Sequence, residues 1–137
     1  MKSQHCFNHY YNRLFLVVCS ICKNDDADLS GPCFDLKSFT YDVNQKVQIE
    51  KSIVLECYVK NKGNFYVNWY DENGIISLNG QVIKPDPNIL VETDANYKFN
   101  LRISNVGVNH KGSYKCQIAT LKAENLDYNL DVLSKRF

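Results

Sequence analysis

From residue 53 onward, apolar and polar positions alternate in short runs. Ile53, Leu55, Cys57 and Val59 share one face of a run at 53–59. Phe65, Val67 and Trp69 share one face of a run at 65–70, with Tyr66, Asn68 and Tyr70 on the other. Tyr97, Phe99, Leu101 and Ile103 repeat the pattern at 97–103. A period of two is that of strands with one buried and one wet face. Further strands are predicted at 75–78, 81–83, 89–92, 113–120 and 128–133, after a broken first strand at 39–43 and 47–49. The breaks between them carry turn chemistry. Asn61 to Asn64 form a turn, and Asn73-Gly74 and Asn79-Gly80 are tight-turn pairs able to take positive φ. Pro85 and Pro87 stop pairing before the strand at 89–92. The chain turns again at 93–96 and crosses at 105–109.

One constellation sits on these strands. Cys57 is followed twelve residues later by Trp69, and Gly112, Tyr114 and Cys116 close a Gly-x-Tyr-x-Cys run. In this order and spacing the residues resemble the signature of an immunoglobulin sandwich. The resemblance implies an all-β, immunoglobulin-like β-sandwich of the V-set or I-set type. It would have two antiparallel sheets, Greek-key connections and an inter-sheet Cys57–Cys116 disulfide. Trp69 would pack beside that staple, Tyr114 would close a corner through its hydroxyl, and Gly112 and Leu101 complete the core signature. The extra turns between 70 and 89 favour added edge strands. The alternative is another β fold in which both cysteines are unpaired core residues.

The first 22 residues read as a leader. Lys2 and Arg13 lie in a polar stretch, an apolar run spans 14–22, and Ser20 and Cys22 stand at minus three and minus one of a cut before Lys23. Residues 23–38 are polar and turn-rich and are expected to form a flexible arm, followed by the immunoglobulin-like domain at 39–134 and a tail at 135–137. Such a cut removes Cys22 and leaves Cys33 odd: a free thiol, an intermolecular bridge, or half of a missing pair. No second apolar run reaches the length of a membrane span, and no Asn-x-Ser/Thr sequon occurs. The expectation is a soluble, secreted chain, unless it is a fragment of a longer one. The formal net charge of +1 gives no field for nucleic acid.

From 86 to 132 the resemblance narrows. Asp86 to Ile89, Tyr97 to Ile103, Gly112 to Ile118 and Tyr128 to Val132, with Gly74 to Leu78 after Trp69, are similar to the first domain of the Dpr, DIP and lachesin-type neuronal cell-surface immunoglobulin families. In that pattern an Asp six residues before the second cysteine pairs with an Arg that opens the strand at 89–92. Here those positions hold His110 and Asn88; a neutral His–Asn hydrogen bond is able to replace the pair, and His110 is expected to be a half-exposed loop histidine, with a pH-sensitive role as the alternative. The second domain and anchor common in those families are not seen, which favours a secreted ligand or decoy.

Chemistry is sparse. Outside the leader only His110 remains as a histidine, with no nucleophile–base constellation and no phosphate loop or metal spacing. No enzyme, cofactor, small-molecule substrate or nucleic-acid partner is expected. Binding is the remaining class. The resemblance implies another immunoglobulin domain as partner, homophilic or heterophilic, in neuronal adhesion or synaptic partner choice. Docking would use the face made by the strands at 65–70, 75–78, 113–120 and 128–133. Its outward residues are expected to be Tyr66, Asn68, Tyr70, Lys115, Gln117 and Ala119, with Ile76 and Leu78 from the short aliphatic strand. Opposite parity there would instead expose Ile75 and Ser77, and 75–78 as ordinary core stays open. The other readings are a soluble immune or host-directed factor binding through 61–64 and 122–127, and a piece of a multi-domain receptor.

Overall fold

The computed structural model describes residues 21–22, 31–94 and 97–134. Of the expected leader only Ile21 and Cys22 fall among these residues, and the tail at 135–137 lies outside them. Eleven strands are described: β1 (Cys33–Phe34), β2 (Asn44–Gln48), β3 (Ile53–Leu55), β4 (Val59–Lys60), β5 (Val67–Asp71), β6 (Gly74–Leu78), β7 (Gln81–Val82), β8 (Ile89–Thr93), β9 (Phe99–Ile103), β10 (Gly112–Ile118) and β11 (Glu124–Leu133). They form an immunoglobulin-like sandwich. A six-stranded sheet runs β2-β11-β10-β5-β6-β7, and β3-β9-β8 with the pair β1-β4 makes the opposing layer.

The run at 53–59 is one extended segment with a gap in its ladder. Cys57 donates its N–H to the side chain of Asn100 at 2.8 Å, not to backbone. Pairing with the next segment resumes at once, through Phe99 N–H to Cys57 O at 2.8 Å and Val59 N–H to Tyr97 O at 2.9 Å. The expected first strand is displaced. Cys33–Phe34 pairs with Val59–Lys60, and Phe34 is fully buried. The arm is therefore part of the sandwich from Cys33 onward, because Phe34 and Leu36 supply core surface that a loose arm would waste. Residues 39–43 form no strand. Phe39 and Tyr41 instead plug the edge between the layers, with rings 5.6 Å from Tyr58 and 5.4 Å from Tyr128 respectively. β2 then joins β11 in parallel, a departure from the all-antiparallel pairing expected of both sheets.

The core signature is where the spacing put it. Cys57 and Cys116 are bonded with Cα atoms 6.5 Å apart, closing a loop of 59 residues. By the chain-entropy account this destabilises the unfolded chain by about 4 kcal/mol. Cys57, Cys116, Trp69 and Leu101 have no exposed surface. Trp69 returns its indole N–H to Phe99 O at 2.7 Å and stacks on Tyr128, centroids 6.1 Å apart. Tyr114 donates its hydroxyl to the carbonyl of His110, which closes the expected corner. Gly112 takes a φ of 142°, a value that side chains resist, and a Cβ there would meet Glu72 at 3.1 Å. Asn79 and Gly80 adopt the positive φ angles of a tight hairpin turn, 49° and 94°. The preceding hairpin differs: it is centred on Glu72-Asn73, capped by Asp71 Oδ1 on Asn73 N–H at 2.8 Å, and only Gly74 has positive φ there.

Candidate partner-docking face

The outer surface of the six-stranded sheet is laid out by register. One row across it reads Asn125, Gln117, Asn68, Leu78 and Gln81, and a second reads Asp127, Lys115, Tyr70 and Ile75. Ala119 and Tyr66 sit beyond the first row, tied by Ala119 N–H to Tyr66 O at 2.9 Å. Tyr66 is 51% exposed and Leu78 38%. Tyr70, Lys115, Gln117 and Ala119 are half-buried. Gln117 is fixed by a 3.1 Å bond to Asn125, and the Lys115 ammonium lies 5.7 Å over the Tyr70 ring. The first row is thus free of ionisable groups, while the second carries Lys115 over Tyr70 beside Asp127.

Two expected face residues are not available for contact. Ile76 has no exposed surface. The register shifts between Trp69 and Tyr70, so that Trp69 faces Ser77 while Tyr70 faces Ile75. Ile76 is the extra residue of this bulge, and the one-residue offset turns it inward. Neither parity read from sequence describes β6, since Ile76 and Ser77 are both buried. Asn68 stands on the outer side of β5 but is only 5% exposed. Its carbonyl accepts the Asn79 N–H at 2.9 Å, while Asn79 accepts the Val67 N–H at 3.1 Å. Asn68 holds the β6–β7 turn in place.

Sequence reasoning also missed two apolar residues beside the face. Phe65, expected inside, is 42% exposed because it precedes β5, and Leu121 at the tip of the β10–β11 loop is fully exposed. Alternation carries no information once the strand ends. An open groove of about 470 Å³ continues the face past Tyr70 and Lys115 and is bordered by Asp71, Glu72 and Asp127. Among the described residues, no group of three or more His, Cys, Asp and Glu is placed to hold a metal ion, and no helix is long and apolar enough to cross a membrane.

Away from the face, His110 departs from expectation. It pairs with Asp86, Nε2 to Oδ2 at 2.9 Å, and not with Asn88. Its Nδ1 accepts the Gly107 N–H at 3.0 Å, which places the ring proton on Nε2. Asn88 instead donates its backbone N–H to Asp86 Oδ1 at 2.9 Å. Burial raises the Asp86 carboxyl, but the Asn88 N–H, His110 and Lys84 outweigh it and hold the group below its ordinary range.

Residues 38–128 match the immunoglobulin I-set domain model. The chain belongs to the immunoglobulin I-set family. Among solved structures, this I-set domain is similar to the Dpr1 first domain bound to the DIP-eta first domain, with 26% identity and a TM-score of 0.68 over 75% of this chain and 97% of that one. It is also similar to Dpr2 domains one and two in complex with DIP-Theta domains one to three, with 26% identity and a TM-score of 0.64 over 74% of this chain and 34% of that one. Mouse SynCAM 2 domain one shares the fold at 18% identity, with a TM-score of 0.64 over 77% of this chain and 98% of that one. The I-set domain spans half of a two-domain DIP-gamma structure to which it is likewise similar.

Proposed function

We propose that this I-set domain is an extracellular recognition module. It docks onto a second immunoglobulin domain through the outer face of the six-stranded sheet, in choosing partners between neuronal cell surfaces. The observation that carries the reading is the exposure of Tyr66 and Leu78, with Phe65 and Leu121 also exposed, beside a row of residues with no ionisable group. Aromatic and aliphatic anchors with few charges are what the core of a standard-size interface requires. The similar Dpr structures were solved as complexes between immunoglobulin domains, and two disulfides fit an oxidising compartment.

The test is sedimentation velocity on the chain, alone and mixed with candidate first domains of the Dpr and DIP type. Leu78→Asp and Tyr66→Asp are the probes, because both side chains are exposed and their loss leaves the core intact. A complex weakened at least about 100-fold by either change, in the manner of a hot spot, supports the face. A complex untouched by both but lost with Leu121→Asp would favour binding through the loops.

A further inference from the structure

We propose that the exported chain begins at Ile21, with processing at the Ser20–Ile21 peptide bond, so that Cys22 stays in the mature protein as a staple of its first strand. This rests on the extracellular reading but not on the docking face. Cys22 and Cys33 are bonded with Cα atoms 5.0 Å apart. Cys22 donates its N–H to Phe34 O at 2.8 Å, and Ile21 lies beside Phe34 in a parallel bridge. Ile21 is partly buried against the core cluster, and Phe34 is wholly inside it. Residues 21–22 therefore extend the β1–β4 layer. A cut before Lys23 would discard half of a disulfide, leave the Phe34 carbonyl without its donor and expose a lone Cys33 thiol to oxidation between chains.

The sequence around Ser20 allows the earlier cut. Arg13 precedes a six-residue apolar stretch from Leu14 to Cys19, one residue short of the usual leader core, and Ser20 is a small residue on the leaving side with Val18 at minus three. Water adds across the Ser20–Ile21 bond, which gives a carboxylate on Ser20 and an amine on Ile21. The disulfide then forms by exchange with an oxidised dithiol carrier of the export pathway. The carrier takes the two electrons and the two thiol protons, and leaves as its dithiol.

The test is to express the full chain with a C-terminal tag in a secreting eukaryotic cell. The product in the medium is alkylated before reduction, then sequenced from its N-terminus and digested with trypsin. The expected result is Ile21 as first residue, no alkylated cysteine, and a Cys22 peptide joined to the 24–37 peptide until reduction. A first residue at Lys23 with alkylated Cys33 would overturn the proposal, as would failure of residues 1–20 to direct export. A second pair of products, with an unrelated leader fused at Ile21 or at Lys23, tests the staple itself. The Lys23 product should carry one reactive thiol and melt about 10 °C lower. Equal melting of the two, with Cys22 alkylated in the longer one, would also overturn it. Loss of partner binding with the bridge intact would count against the docking face alone.

Discussion

His110 carries more of the lower corner than its single ring suggests. It is 5% exposed, and its ring accepts from Gly107 and reaches Asp86 while its carbonyl takes the Tyr114 hydroxyl. His110→Ala keeps the carbonyl but strands a backbone N–H and leaves a carboxylate that is only 14% exposed with the Asn88 N–H and the Lys84 charge alone. The expected cost is about 2–4 kcal/mol in a denaturant melt at neutral pH. The acid side of the pair sets a pH window. Asp86 and Asp35 are both held below the ordinary carboxylate range. Burial opposes this at both, and it is outweighed at Asp35 by the Tyr97 hydroxyl, the Lys37 N–H and the Lys60 and Lys37 charges. In acid the unfolded chain binds these protons first. Their stabilisation is thus complete above about pH 4 and lost as pH falls through the lowered folded values. Melting followed from pH 6 down to about pH 2 should show this loss, and Asp86→Asn should flatten part of it while lowering stability at pH 6.

At the scale of the element, the bulge between β5 and β6 decides which residues face a partner. Ile76→Asp places a carboxylate in a site with no exposed surface, and should cost more than about 4 kcal/mol or prevent folding. Leu78→Asp, two residues on and 38% exposed, should move the melting free energy by no more than about 0.5 kcal/mol. Circular-dichroism melts of the two variants settle the register. Alternation had located nearly every strand, because inward positions such as Val67, Trp69, Leu101 and Ile103 are fixed by the need to bury apolar surface. It missed Ile76 because an inserted residue changes parity without changing composition. It missed the gap in the 53–59 strand because the intruding group is a side chain, Asn100, from another strand. The Asp86–His110 pair was hidden for a similar reason: the acid stands two residues ahead of the position the family pattern assigns to its cation. Cys22 stands at the end of an apolar run, and such a run looks the same in sequence whether it is removed or folded into an edge.

Across the whole molecule, charge is unevenly placed on the face. The formal net charge is +1, and the row through Gln117, Asn68 and Leu78 carries no ionisable group. The acidic residues Asp71, Glu72 and Asp127 lie along the groove to one side, Asp71 is paired with Lys84 at 3.0 Å, and the Lys115 ammonium lies over the Tyr70 ring. Long-range steering should therefore contribute little to association, while burial of Tyr66 and Leu78 sets the lifetime of the complex. Raising salt from about 0.05 M to about 0.5 M shortens the screening length from over 10 Å to under 5 Å. A face that binds through its uncharged row and through Tyr66 and Leu78 should keep its dissociation constant within about three-fold across that range. Surface-coupled binding of a partner first domain at both salt levels measures this directly. A loss of ten-fold or more, about 1.4 kcal/mol, would shift the energetic weight of docking from Tyr66 and Leu78 to the acidic groove and would call for a basic partner surface in place of an apolar one.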